Sequence, residues 1–202
     1  MSGYDAVVAP LERNVIESKA FAWRSAFGVP DAWVIDLARI LEIDMPRVLP
    51  NFALRIRAPE DMQGEEARTF HAVPAIDMRE DVYARLCEGD GRARFTAAHE
   101  LGHLFLHNGE SRPRAVQTVR WKTISRKMSS EGQADDFAAS LLMPEHIVRQ
   151  FSGPAQLAEG CHVSTQAALV RMKELRLWPK ARPPIPEVEE FLRKMKADKS
   201  KR

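Results

Sequence analysis

The segment from Arg94 to His107 constrains this chain most, because it places two histidines one helical turn apart in a largely apolar sequence. His99 and His103 are four positions apart, so on an α-helix they lie on the same face. Their imidazole nitrogens can then reach one metal ion at roughly 2.0–2.1 Å. Glu100 lies about 100° further round the helix, where it can face an activated water as a general base.

The residues around the two histidines predict a buried helix from about Ala93 to His107, followed by Asn108-Gly109. His107 lies four positions after His103 and could be mistaken for a third ligand. Three ligands spread over eight residues rise about 12 Å along a straight helix, so they cannot converge easily on one ion. We therefore interpret His107 as a helix-end residue or as a structural group behind a ligand.

Two histidines and a glutamate in the pattern His-Glu-x-x-His, at His99, Glu100 and His103, are typical of zinc peptidases. A catalytic zinc site of this kind needs three protein ligands and an open fourth position. Glu131 begins a second apolar helix predicted to reach about Leu142, and Asp135 lies one turn further along the same face. Glu131 would bind zinc through a carboxylate oxygen, and Asp135 would accept the free N–H of a ligand histidine. The spacing alone also fits an acidic residue in a first helical turn, which the helix dipole favours, with Asp135 as a solvated neighbour.

These residues predict a hydrolytic mechanism. Glu100 would take a proton from the attacking water and return it to the leaving amine. The developing oxyanion needs at least one further donor, which the sequence does not identify. The candidates are His71, Tyr83, His107, His146, His162 and Arg171.

Composition narrows the classes of protein. The 202 residues carry 30 basic and 28 acidic side chains, a net charge of +2, so global charge gives no case for nucleic-acid binding. Cys87 and Cys161 form no metal-binding or disulfide pattern. We expect a cytoplasmic protein, because neither a signal peptide nor a membrane-spanning run is visible.

The predicted elements give an α+β fold that is mainly helical, with a small β-sheet. We expect a domain over residues 1–178 and a Pro-rich linker with a basic tail over 179–202, where eight basic residues face four acidic ones. Helices are predicted over Leu11–Phe27, Ala32–Glu42, Asp81–Cys87, Glu145–Phe151, Ala155–Glu159, Ser164–Arg176 and Glu187–Ala197, and strands over Phe52–Arg57, Thr69–Asp77 and Ala115–Ile124.

Four stretches resemble the ImmA/IrrE family of zinc metallopeptidases. They are Pro30-Asp31-x-x-Val34-x-x-Leu37-Ala38, Arg94-Phe95-Thr96-Ala97-Ala98-His99-Glu100-Leu101-Gly102-His103 with Leu106-His107, Glu131-x-x-Ala134-Asp135-x-Phe137-Ala138-x-x-Leu141-Leu142-Met143-Pro144, and Val163-Ser164-x-x-Ala167-x-x-x-Arg171. The second and third are specific in combination. The resemblance implies a zincin-like domain with a thermolysin-like pair of active-site helices, a small sheet beside the first helix, and Glu131 as the third zinc ligand.

The resemblance also implies a partner. Family members often carry a helix-turn-helix repressor-type domain, which this sequence does not obviously contain. The resemblance therefore implies a separate helix-turn-helix repressor as substrate, encoded nearby in a phage, mobile element or stress operon. An alternative is a zinc-containing regulatory or toxin-like protein that binds a repressor without cleaving it. Direct DNA binding through Ser164–Arg176 or the basic tail is a weaker reading, because Glu174 offsets the basic side chains of that helix.

Overall fold

A computed structural model of the chain describes residues 5–107 and 124–178. The strand expected over Ala115–Ile124, apart from its last residue, lies outside these ranges. So do the expected linker and tail over 179–202 and the helix expected over Glu187–Ala197.

The described residues form a mainly helical α+β structure with one three-stranded sheet, which confirms the expected fold class. None of the described helices is long and apolar enough to cross a membrane. The α-helices are α1 (Arg13–Ala26), α2 (Leu37–Arg39), α3 (Met45–Val48), α4 (Glu80–Cys87), α5 (Gly91–Leu106), α6 (Ser130–Leu142), α7 (Glu145–Val148), α8 (Pro154–Cys161) and α9 (Thr165–Glu174). The strands are β1 (Ala53–Arg57), β2 (Ala67–Phe70) and β3 (Ala75–Arg79), and a π-helical turn, Ile40–Asp44, joins α2 to α3.

Helices α5 and α6 pack against each other at the centre of the core. Leu101 and Leu104 of α5 and Phe137 and Leu141 of α6 are fully buried. Gly102 permits this approach, because a Cβ atom at that position would lie only 3.0 Å from the Cα and carbonyl oxygen of Ala134. The absence of a side chain at Gly102 thus sets the spacing between the two helices.

Buried arginines join the ends of these elements. Arg24 of α1 is fully buried and donates to the carbonyl oxygens of Leu141 at 2.6 Å, Pro30 at 3.1 Å, and Ala32. Burial lowers the pKa of Arg24 to about 10. Each of these bonds satisfies a backbone acceptor at a helix end or in a loop, where no helical amide is available.

The helix expected over Ala32–Glu42 is wrong in its extent. The segment after Pro30 is held by Arg24, which binds the carbonyls of Pro30 and Ala32. Helix α2 begins only at Leu37, and Asp36 caps it by accepting from the amide of Arg39 at 2.9 Å. The remainder of the predicted helix continues as the π-helical turn.

The sheet has the order β1-β3-β2, with β1 parallel and β2 antiparallel to β3. The single strand expected over Thr69–Asp77 is therefore wrong: that stretch holds parts of two strands and the turn between them. Pro74 lies in the turn, and β3 occupies the centre of the sheet. Ile76 and Met78 of β3 are fully buried, whereas Ile56 at the outer strand is 43% exposed.

The other face of the sheet centres on Asp77, which is almost fully buried. The side chains of Arg55, Arg57 and Arg68 surround this carboxylate and form ion pairs with it. These ion pairs compensate the buried charge of Asp77. The opposite face of the sheet, which carries Thr69, faces α5.

An N-terminal segment, residues 5–11, runs across the start of α6. The amide of Ala6 donates to the Ser130 hydroxyl at 3.1 Å, and Ser130 returns a bond from its amide to the Ala6 carbonyl at 3.0 Å. Asp5 accepts from the amide of Glu131 at 3.2 Å. This segment therefore fixes the first turn of the helix that carries Glu131.

Candidate metal centre

Helix α5 presents His99 and His103 as a pair. Asp90 caps the helix by accepting from the amide of Ala93 at 2.9 Å, and the helix continues unbroken through both histidines to Leu106. The two Nε2 atoms lie 3.0 Å apart. One helix thus supplies two nitrogen donors aimed at the same point.

Helix α6 brings Glu131 to this pair from its first turn. Ser129 caps the helix by accepting from the amide of Gly132 at 2.8 Å. The Glu131 carboxylate places Oε2 3.3 Å from His99 Nε2 and Oε1 3.3 Å from His103 Nε2. Together the three side chains form a group that can hold a metal ion.

The spacing of these donor atoms fits a small four-coordinate ion. In a tetrahedral site with metal–ligand bonds of about 2.0–2.1 Å, neighbouring donors are about 3.3 Å apart. The observed separations of 3.0 and 3.3 Å agree with that figure. Within residues 5–107 and 124–178, two nitrogens and a carboxylate make up the cluster, which accounts for three corners of a tetrahedron.

Electrostatics favours a charged carboxylate at Glu131. Burial opposes its charge, but hydrogen bonds from His103 and His99 outweigh burial and lower the pKa of Glu131 to about 2. The carboxylate is therefore ionised at neutral pH, as a metal ligand must be.

His99 holds a proton strongly when no metal ion competes for its nitrogens. Burial again opposes the charge, whereas hydrogen bonds to Asp135 and Glu131 raise the pKa of His99 to about 10. A cation is thus favoured at this point of the protein, whether it is a proton on His99 or a metal ion.

Asp135 lies behind His99, one turn after Glu131 on α6. Its Oδ1 is 2.9 Å from His99 Nδ1, which donates to it. With the proton on Nδ1, the lone pair of neutral His99 remains on Nε2, the atom that faces Glu131 and His103. The structure therefore brings Asp135 to the position at which it can orient His99.

Glu100 follows His99 on α5 but is not part of the donor cluster, and its side chain is held by the sheet. The residue is 8% exposed, and its Oε2 lies 2.7 Å from the hydroxyl of Thr69 on β2. The same hydroxyl lies 2.9 Å from the Glu100 carbonyl oxygen. Sequence reasoning missed Thr69, because its partner is 31 positions away and only the pairing of β2 with β3 sets its orientation.

His107 is the residue that follows the last turn of α5, and it is buried beside His103 rather than in the donor cluster. Its Nδ1 lies 3.3 Å from Nδ1 of His103, and its Nε2 lies 3.1 Å from Oε1 of Gln133. Burial lowers the pKa of His107 to about 4, which keeps the ring neutral. No sequence pattern indicated Gln133, whose position on α6 marks it only as a core-facing polar residue.

Three of the six candidate oxyanion donors have partners elsewhere. Arg171 is 1% exposed, forms an ion pair with Glu17 and donates a hydrogen bond to the Met143 carbonyl. The Tyr83 hydroxyl donates to Glu42, and His146 pairs with Asp31 at 3.2 Å. Arg171 is therefore a structural residue of α9, which also weakens the reading of that helix as a DNA-binding element.

The sequence profile of the IrrE N-terminal-like domain, a peptidase family designated M78, matches residues 59–173. The chain belongs to this family. The matched range contains the helix pair α5–α6 and all four residues His99, Glu100, His103 and Glu131. Membership of this peptidase family gives the chain a metallopeptidase-like domain. The His99, His103 and Glu131 cluster in that domain can bind a metal ion.

A solved structure shares this fold. It is described as a Mycobacterium tuberculosis transcriptional regulator, and it superposes with a TM-score of 0.55 at 16% sequence identity over 85% of this chain. This IrrE-like chain spans about half of that protein, since the match covers 48% of its length. At this identity the likeness concerns the fold alone. A search of curated proteins finds no match.

Proposed function

We propose that this protein is a zinc-dependent metalloendopeptidase that cleaves a peptide bond in a cytoplasmic protein. One observation carries the proposal: two histidine nitrogens and a carboxylate meet at 3.0–3.3 Å, beside a glutamate that does not take part in the cluster. A structural zinc site would more often have four protein ligands and no adjacent base.

His99, His103 and Glu131 are the proposed zinc ligands. Two imidazoles and one carboxylate form a donor set that suits zinc in catalytic sites. A zinc ion bound there would polarise the carbonyl of a peptide and lower the pKa of a water to about 7. Asp135 would keep His99 in the tautomer that leaves its Nε2 free for the ion.

Glu100 is the proposed general base. Its carboxylate would take a proton from the water that attacks the peptide carbonyl, and it would deliver that proton to the nitrogen of the departing amine. A burial of 92% keeps this carboxylate in a fixed environment, where the Thr69 hydroxyl holds one of its oxygens. In this proposal the other carboxylate oxygen, Oε1, accepts the proton.

The proposed substrate is a helix-turn-helix repressor encoded nearby, with a role in phage, mobile-element or stress regulation. The family resemblance supports a repressor as the partner, and the structural neighbour is itself described as a transcriptional regulator. In this proposal the protein contacts the repressor rather than DNA or a membrane.

The test is co-expression of the neighbouring repressor with the wild-type protein, with Glu100→Gln and with Glu88→Gln. Glu88 is an exposed glutamate outside the site and serves as a matched control. The intact mass of the repressor is then measured. We expect a truncated repressor with wild type and Glu88→Gln, and an intact one with Glu100→Gln.

Two other outcomes would contradict parts of the proposal. Cleavage by Glu100→Gln at the wild-type rate would show that Glu100 is not the general base. An intact repressor that co-purifies with wild type would replace proteolysis by regulation through binding. Zinc content of the purified proteins, measured in parallel, separates a missing ion from a missing substrate.

A further inference from the structure

Gln133 of α6 has an orientation that its surroundings determine completely. The residue is 1% exposed, and its amide nitrogen donates to the carbonyl oxygens of Ala9 at 2.8 Å and Lys127 at 2.6 Å. Both partners are backbone carbonyls, which can only accept. The NH2 group must therefore face them, because the reversed amide would set its oxygen against two other oxygens.

The amide orientation in turn decides the tautomer of His107. With its NH2 group facing the two carbonyls, Gln133 presents only its oxygen to His107 Nε2 at 3.1 Å. An oxygen accepts, so His107 must carry its proton on Nε2. Its Nδ1 is then an acceptor, and it faces Nδ1 of His103 at 3.3 Å.

The last link is His103 itself. Since His107 Nδ1 accepts, His103 donates from Nδ1 and keeps its lone pair on Nε2. That Nε2 is the atom that lies 3.0 Å from His99 Nε2 and 3.3 Å from Glu131. We propose that Gln133, acting through His107, is a positioning residue that fixes the metal-binding tautomer of His103. The proposal rests on the proposed role of His103 as a ligand.

The two ligand histidines are thus held by different means. Asp135 holds His99 through a half-exposed carboxylate, whereas a neutral, buried pair holds His103. The pair is anchored outside α5 and α6, through Ala9 in the N-terminal segment and Lys127 in the short 3-10 helix Arg126–Met128 before α6. The tautomer of one ligand therefore depends on the N-terminal segment being in place.

The first test replaces Gln133 by Met, which has a similar volume and no strong donor or acceptor. Long-range proton–nitrogen NMR correlations report which nitrogen of His103 carries the proton, and a chelator competition reports the zinc affinity. We expect a mixture of His103 tautomers and a 10- to 100-fold loss of zinc affinity. Gln150→Met is the matched control, because Gln150 is exposed and its side-chain amide donates to the carbonyl of His146.

A second pair of variants separates positioning from mere packing, and it serves if Gln133→Met fails to fold. His107→Asn keeps an acceptor oxygen close to the position of Nδ1, whereas His107→Leu has none. We expect His107→Asn to retain most of the zinc affinity that His107→Leu loses. A structural role would give similar losses in both.

The proposal is overturned if folded Gln133→Met keeps the wild-type tautomer of His103 and the wild-type zinc affinity, or if His107→Asn and His107→Leu lose equal affinity. These readouts do not depend on cleavage. A wild type that binds zinc but cuts no repressor would contradict the peptidase proposal and leave the positioning role standing. The tautomer itself can be measured on metal-free protein.

Discussion

The Thr69 hydroxyl lies 2.7 Å from the side-chain oxygen Oε2 of Glu100 and 2.9 Å from the carbonyl oxygen of the same residue. A hydroxyl has one proton, so it serves these two acceptors alternately or shares the proton between them. Strand β2 is joined in this way to the centre of α5, and the carboxylate of Glu100 has a fixed rotamer.

Replacing Thr69 by Val removes this hydroxyl while preserving the branched shape. We expect kcat to fall by about 10- to 100-fold, because a misplaced general base reacts poorly, while zinc content stays unchanged. Thr69→Ser restores the hydroxyl and should recover most of the activity. Steady-state kinetics of repressor cleavage measures the effect. A fall in zinc content, or a failure of Thr69→Ser to recover activity, would show that Thr69 acts by stabilising the fold instead.

Removing zinc should destabilise the protein, because His99 and His103 lie on one helix and Glu131 on another. An ion at 100 times its dissociation constant adds about 2.7 kcal/mol to the free energy of unfolding. For a domain of this size that corresponds to a rise in Tm of about 5–10 °C. Calorimetric scans with zinc and with excess chelator measure it, and His103→Ala should show no difference between the two conditions.

Zinc affinity should rise with pH, because the ion must displace a proton from His99. The pKa of His99 in the metal-free protein is about 10, and that of Glu131 about 2, so between these values His99 is the group that releases the proton. Affinity should increase about tenfold per pH unit from pH 7 to 9 and level off above pH 10. Calorimetry in buffers of different ionisation enthalpy counts the released protons.

The same shift predicts the opposite trend for the stability of the metal-free protein. The folded-state pKa of His99 is raised above its unfolded value of about 6.5. Its contribution to stability is therefore complete below pH 6.5 and is lost as pH rises towards 10. A metal-free protein whose stability and proton release do not change between pH 7 and 9 would contradict the paired state of His99.

Asp135→Asn should weaken zinc binding by about 10- to 100-fold. The substituted amide can still accept from His99 Nδ1, but it lacks the charge that increases the basicity of the ring. Asp81→Asn, at a carboxylate on α4 that pairs with Arg79 outside the site, is the control. Chelator competition measures the zinc affinity of both variants. Equal affinities for Asp135→Asn and wild type would show that Asp135 does not contribute to zinc binding.

Gly102→Ala tests the spacing of the two helices. The new Cβ would lie 3.0 Å from the backbone of Ala134, which cannot move as a flexible side chain would. We expect a loss of about 1–3 kcal/mol from crowding, larger than the gain of up to about 1 kcal/mol in helix propensity. Chemical denaturation measures the change, and unchanged stability would mean that α5 and α6 can separate without cost.

The sequence predicted the parts of the site that depend on helical period. His99 and His103 are four positions apart on one uninterrupted helix, and the same period places Asp135 one turn after Glu131. The contact of Glu131 with the histidines is tertiary, and it was expected from family resemblance. Contacts that join distant segments, such as Thr69 with Glu100 and Gln133 with His107, have no local signal.

The incorrect predictions have equally specific causes. A helix from Ala32 was expected from apolar spacing, but the carbonyl of Ala32 accepts from Arg24 and α2 begins only at Leu37. The turn containing Pro74 divides one expected strand into two, and this reversal places β2 beside α5. Both features depend on side chains or turns whose partners lie elsewhere in the chain.

The segment of residues 5–11 has a consequence for the order in which the protein is completed during synthesis. Its partners, Ser130 and Glu131, lie about 125 positions later in the chain. A ribosome adds roughly 5–20 residues per second, so this segment waits several seconds before α6 emerges. Until then the first turn of α6 does not exist, and the nascent chain holds only two of the three proposed ligands, His99 and His103. The protein therefore acquires its complete cluster only after the sheet and α5 have been made.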